Sequence, residues 1–123
     1  MTDAPVRAVI QGRVVDSKEE VFVATSLTKY GWEFFYQFPI NGGNEISGGW
    51  IVDFLVYTVP LSTPLETMES WWHSGARHEA DTLKRIFLAT RLKEYMPLQE
   101  IWAKDLTDQE ACDAEIYRMF GRR

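Results

Sequence analysis

The stretch Gly49-Trp50-Ile51-Val52-Asp53-Phe54-Leu55-Val56-Tyr57, with Pro64-Leu65-Glu66-Thr67-Met68 and Trp71-Trp72-His73 after it, decides the reading of this chain. The first part is rich in β-branched and aromatic residues, which favours a strand, and Asp53 stands in its middle. A carboxylate in such a run is costly to bury without a partner, so it is expected to hold something cationic rather than to pack. Glu66 follows thirteen residues later, past the Pro60 to Pro64 turn, and a strand–turn–strand path returns it beside Asp53. Two carboxylates on adjacent strand ends suit a hard cation, Mg²⁺ first and Mn²⁺ as the alternative. The plainer alternatives are an edge strand that leaves Asp53 in water and an exposed post-turn charge for Glu66.

Working outward, Asp16-Ser17-Lys18-Glu19 reads as a helix start with a capping-box-like pair. Ala24, Leu27 and Tyr30 continue an apolar face to a stop at Gly31. Trp32, Phe34, Tyr36, Phe38 and Ile40 then alternate with Glu33, Phe35, Gln37 and Pro39, a strand period. Asn41-Gly42-Gly43-Asn44 turns the chain, and Gly48-Gly49 leads into the strand from Trp50 to Tyr57. A third strand begins near Pro64, a helix runs over Ala76 to Leu92, and a fourth strand covers Leu98 to Trp102. Thr107-Asp108-Gln109-Glu110 reads as a capping box opening a last helix to about Phe120. Residues Val6 to Val15 are open between a short strand and an arm.

Composition limits the function classes. A chain of 123 residues, 46% hydrophobic, is read as one domain, 1–123, with a real core. No apolar run approaches a membrane span, and Met1 to Pro5 lack the features of a signal peptide, so a cytoplasmic protein is expected. The single Cys112 excludes an intrachain disulfide and a cysteine zinc cluster, and is expected as a small helix residue. A net charge of −5 argues against a general nucleic-acid coat protein. Yet residues 77–93 carry Arg77, Lys84, Arg85, Arg91 and Lys93 against Glu79 and Asp81, and so are locally basic. That segment suits either a phosphate contact or a solvated helix face.

At these positions the chain resembles a family. Tyr36-Gln37-x-Pro39-Ile40, Gly48-Gly49, Val52-Asp53-Phe54, Glu66, Trp72-His73, Asp81-x-x-Lys84 and Ile101-Trp102-x-x-Asp105-Leu106, in this order, are similar to the compact nucleases related to the very-short-patch mismatch-repair endonucleases. Those belong to the PD-(D/E)XK superfamily, with Holliday-junction resolvases as cousins, and small versions are frequent in phage genomes. The resemblance runs from about Ser17 to Phe120. It implies an α/β fold with the restriction-endonuclease-like αβββαβ core, a mixed β-sheet flanked by helices.

The resemblance also implies roles. Asp53 and Glu66 would ligate the metal, and Thr67 would offer its backbone carbonyl. The superfamily motif has a lysine where this chain has Met68, and that lysine stabilises charge in the transition state. The mismatch-repair branch also dispenses with it and relies on a downstream histidine, a role His73 would fill, unless its imidazole is simply packed beside Trp71 and Trp72. Lys84 is the alternative source of charge. Glu20 corresponds to a further acid near the site in relatives, or is a solvated first-turn glutamate. Gln37 would contact metal-bound water or phosphate, or else bond between strands. Glu69 is a second-choice ligand. Trp71 and Trp72 are candidates for stacking on a base or for the core.

The expectation is thus a Mg²⁺-dependent endonuclease acting on DNA that is mismatched, nicked or branched, with Arg77, Lys84, Arg85 and Arg91 gripping the backbone. A homodimer would help on a two-strand substrate. The competing expectations are a binding or structural module whose catalysis was lost with the motif lysine, and an RNA-processing nuclease.

Overall fold

A computed structural model describes residues 8–15, 17–40, 50–68 and 94–123. The chain begins with a hairpin of β1 (Ala8–Ile10) and β2 (Arg13–Val15), joined by Gln11 and Gly12. Both turn residues have positive φ, 50° and 81°, the geometry that matches the twist of a two-residue hairpin and that glycine adopts without strain. Ile10 and Val15 are buried while Val9 and Val14 are exposed, so the hairpin is anchored through one face. Within the segment 6–15, whose sequence is open between a short strand and an arm, the described residues 8–15 form two short strands.

Helix α1 (Lys18–Lys29) starts at Ser17, whose hydroxyl accepts the Glu20 N–H. It ends in left-handed Gly31, as its sequence implied. Strands β3 (Phe34–Ile40), β4 (Trp50–Val56), β5 (Thr63–Met68) and β6 (Gln99–Trp102) form one sheet in the order β3-β4-β5-β6. The first two junctions are antiparallel and the last is parallel, so the sheet is mixed. A single 3₁₀ turn, Ala103–Asp105, leads to helix α2 (Gln109–Phe120). Its N-cap is Asp108, which accepts the Ala111 N–H, one residue later than the Thr107 start that the capping-box pattern suggested. Aspartate is favoured over threonine as an N-cap acceptor, and Asp108 holds the position.

The two helices share a core with one face of the sheet. Val23 and Leu27 of α1 and Cys112 and Ile116 of α2 close over Tyr36, Phe54, Val56, Leu65 and Ile101. Each fully buried large aliphatic or aromatic side chain here contributes about 1.5–3 kcal/mol. Leu55 alternates with Phe54 and Val56 and is also buried, so β4 is covered on both faces. Burial pushes the Cys112 thiol up to about 11, which makes it a packing residue.

Between α1 and α2 lies a buried polar network. Asp113 accepts from Ser26 (2.6 Å), Gln109 (3.1 Å) and Lys29 (2.8 Å), and Gln109 also donates to the Phe22 carbonyl. Burial opposes the charged carboxylate, but the Lys29, Ser26 and Gln109 donors together hold its pKa below the usual range. Among the described residues, no helix is long and apolar enough to cross a membrane. The helix expected over Ala76 to Leu92 lies outside the described residues.

Candidate active site around Asp53

Strand β4 is interior, with β3 on one side and β5 on the other. This removes the edge-strand alternative for Asp53, which is half-buried in the sheet. The antiparallel pairing of β4 with β5 ends at Phe54↔Leu65, so Asp53 and Glu66 lie just past the last paired positions of these two neighbouring strands. The return of Glu66 to the strand beside Asp53 is therefore a consequence of the hairpin register. At this position Asp53 Oδ2 accepts the Thr67 N–H at 2.8 Å and the Thr67 hydroxyl at 2.9 Å. A side chain thus satisfies a backbone donor of β5, which fixes the carboxylate against that strand.

Glu66 is only 7% exposed, and in β6 its parallel register partner is Glu100. Asp53, Glu66 and Glu100 therefore lie on three successive strands, the last two in register. Like charges on adjacent strands repel, and a shared proton or cation relieves that repulsion. Met68, at the motif-lysine position, is buried and pairs with Trp102.

On the other side of β4, the β3–β4 ladder carries Tyr36↔Phe54 and Phe38↔Val52, which brackets Gln37 opposite Asp53. Gln37 has φ 56°, the left-handed region that a non-glycine residue enters at a cost of about 1–2 kcal/mol. Its side chain is held at both ends. Arg13 Nη1 donates to Gln37 Oε1 at 3.2 Å, and Gln37 Nε2 donates to the Tyr36 hydroxyl at 3.4 Å.

The buried Tyr36 hydroxyl in turn donates to Glu20 Oε2 across from α1. Burial, then the Glu20 hydrogen bond and charge, then the Asp53 charge raise the Tyr36 phenol far above its ordinary value. It keeps its proton and acts only as a donor toward Glu20. Hydrogen bonds thus tie the α1 acid Glu20 to the β3 pair Tyr36 and Gln37, with β4 and Asp53 on the next strand.

Of the residues singled out by sequence, the fold bonds Asp53 to Thr67, sets Glu66 on the strand next to Asp53, and links Gln37 to Glu20 through Tyr36. His73, Lys84, Arg77, Arg85 and Arg91, with Glu69, Trp71 and Trp72, lie outside the described residues. Thr67, expected to contribute its carbonyl, is placed against Asp53 by its N–H and hydroxyl. Three residues of the cluster went unrecognised as site residues in the sequence. Tyr36 reads as strand core, Glu100 shows only as an acid between Leu98 and Trp102, and Arg13 carries no local signal because its position depends on hairpin docking.

Among the described residues, no group of three or more His, Cys, Asp or Glu side chains is arranged to hold a metal ion. To a cation, Asp53 and Glu66 would offer two carboxylates. That oxygen-only set fits Mg²⁺, which dehydrates reluctantly and commonly takes one or two carboxylates together with phosphate oxygens. It does not fit a structural zinc centre, which takes four nitrogen or sulfur ligands. Comparison with protein-family models, curated proteins and solved structures finds no match to this chain.

Proposed function

We propose that this chain is a metal-dependent DNA endonuclease with a restriction-endonuclease-like core, similar to the very-short-patch-repair branch of the PD-(D/E)XK superfamily. The observation that carries this reading is the pairing of an interior-strand acid, Asp53, with the buried Glu66 one strand away. The helix–three-strand order that contains those two acids and the strand–helix order at the end of the chain agree with it. In this reading the substrate is DNA with a mismatch, nick or branch, the chain acts in the cytoplasm, that of a host if it is phage-encoded, and two copies handle two strands.

Asp53 and Glu66 are the residues that hold Mg²⁺ or Mn²⁺, and Thr67 keeps the Asp53 carboxylate in place. When bound, the metal supplies polarisation of the scissile phosphate and a lower pKa for the attacking water. In the hydrolysis a P–O bond forms to the water oxygen and the P–O bond to the leaving sugar oxygen breaks. The proton of the water passes to His73 in this scheme, and the leaving oxygen takes a proton from solvent. Lys84 is the alternative stabiliser of charge. Arg77, Arg85 and Arg91 bind the flanking backbone.

One observation favours a second reading. Asp53 Oδ2 already accepts two donors from Thr67, so the acid has a structural use in locking β4 to β5. A chain in which that is its whole use is a nucleic-acid-binding or structural module. The two readings separate on incubating the protein with labelled junction, mismatched, nicked and plain duplex DNA, and matched RNA, under Mg²⁺ or Mn²⁺. The nuclease reading expects metal-dependent DNA cleavage that His73→Ala slows by roughly 10²–10⁴-fold. Absence of cleavage on every substrate leaves the module, and preferential RNA cleavage moves the substrate class.

A further inference from the structure

The Met68 position leaves open which cation meets the charge that builds on the phosphate, and the hairpin offers one. We propose, on the basis of the nuclease reading above, that Arg13 contacts a non-bridging oxygen of the scissile phosphate and takes over the charge-stabilising role of the absent lysine.

Three features of the hairpin support this. First, Arg13 is placed rather than loose. Ile10 and Val15 anchor the hairpin in the core, and the Gln11 amide clips it to β3 by donating to the Phe34 carbonyl (2.6 Å) and accepting the Tyr36 N–H (2.8 Å). Gln11 thus occupies the outer edge of the sheet as a further strand would. Second, Arg13 reaches the polar cluster from this hairpin. Its Nη1 lies 3.2 Å from Gln37 Oε1, and Gln37 sits between the Tyr36↔Phe54 and Phe38↔Val52 pairs, level with Asp53 on the neighbouring strand. The left-handed backbone of Gln37 is the local strain that accompanies this arrangement.

Third, the guanidinium retains donors for a ligand. Among the described residues Arg13 pairs with no carboxylate and makes this one hydrogen bond, whereas a guanidinium has five N–H donors in a planar fork. Arg13 is exposed, so a strand of DNA approaching Asp53 can reach it. A fork presented to a phosphate can bond two oxygens at once, which an ammonium on a flexible stem does less well. The neutral Gln37 oxygen steers the fork without cancelling its charge, as an acid in the same place would do.

The test compares the parent protein with Arg13→Ala, Arg13→Lys and Asp53→Asn in single-turnover cleavage of the DNA that the parent cuts best with Mg²⁺. Arg13→Ala is expected to melt with the parent and to lose roughly 10²–10³-fold in the cleavage step. DNA affinity should change far less than the rate, because one phosphate contact among several is removed. Added methylguanidinium should restore part of the Arg13→Ala rate and none of the Asp53→Asn rate, a readout that a purely structural role would not move. Arg13→Lys should fall between parent and alanine. A parent that cleaves while Arg13→Ala cleaves equally fast overturns the Arg13 assignment and leaves the nuclease reading standing. Were Arg13→Ala to unfold, a parent-like rate for the charge-conserving Arg13→Lys together with no methylguanidinium effect on any variant would overturn it as well. A parent that cleaves no DNA removes both.

Discussion

The molecule contains two polar centres of opposite design, one between the helices and one in the sheet. Around Asp113 a single acid is surrounded by donors, the Lys29 ammonium among them, and every partner comes from α1 or α2. In the sheet, acids stand on successive strands, Asp53 on β4, Glu66 on β5 and its register partner Glu100 on β6, while Glu20 accepts from Tyr36 of β3. The first centre lowers the energy of the fold as it stands, since an acid below its ordinary pKa favours the native state. The second sets acids on neighbouring strands, where Thr67 donates to Asp53 and the Tyr36 hydroxyl donates to Glu20. The backbone agrees with this division. Among the described residues, the non-glycine residues with left-handed φ are Gln11 of the hairpin and Gln37 of β3, and the helix layer has none.

The contrast is broken or sharpened by exchanging damage between the centres. Asp53→Asn or Glu66→Gln should lower the metal-dependent cleavage rate by about 10³-fold or more, since several kcal/mol of charge stabilisation are removed. Their thermal melts without metal should stay level or rise as carboxylate repulsion is relieved. Asp113→Ala should do the reverse, costing about 1–3 kcal/mol because the buried Ser26 hydroxyl and Gln109 amide lose their acceptor. The folded fraction of that variant should cleave at the parent rate. A variant of either centre that damages both properties equally would erase the distinction drawn here.

Acid titration separates the centres further. The Asp113 pKa is depressed on folding, so its contribution is fully present above the ordinary carboxylate range and is lost as pH falls through the lowered folded value. Asp113→Asn should therefore flatten the acid limb of a stability-against-pH curve measured by urea unfolding. An unaltered acid limb would show that the Lys29 and Ser26 bonds do not depress this group.

Smaller effects are expected from the DNA grip. Charge reversal at Arg77, Arg85 or Arg91 should weaken binding and reduce the slope of log affinity against log salt by about one per lost phosphate contact. Unchanged slopes for all three would make the 77–93 segment a solvated face. The smallest effect has the opposite sign. Gln37→Gly relieves the left-handed strain and should hold or raise the melting midpoint, by about 1 kcal/mol at most, while lowering the cleavage rate through the loss of the Arg13 contact.

The frame was legible in the sequence wherever its signal is local. The Ser17 cap, the alternation of Phe34 to Ile40, the β-branched run at Asp53 and the Gly31 stop each depend on neighbours within a few residues. Asp53 and Glu66 were legible for the same reason, because one antiparallel turn brings them together. The remainder depends on long-range placement. Glu100 joins the acids through a parallel register between β5 and β6, which follow one another only after a long connection. Arg13 meets Gln37 because Gln11 clips the hairpin to an edge strand, and no periodicity within residues 8–15 announces that. The positive φ of Gln37 lies inside a regular strand pattern, and its cost is visible only in the fold.

The central claim is that Asp53 and Glu66 jointly hold a divalent cation on which cleavage depends. Titrating Mn²⁺ into the parent protein, followed by the electron paramagnetic resonance of the free ion, tests it without requiring the DNA substrate to be known. The account predicts saturable binding by the parent, competed by Mg²⁺, and loss of that binding in both Asp53→Asn and Glu66→Gln while Asp113→Asn binds as the parent does. A parent that leaves Mn²⁺ free at all concentrations, or two sheet variants that bind it like the parent, would contradict the account.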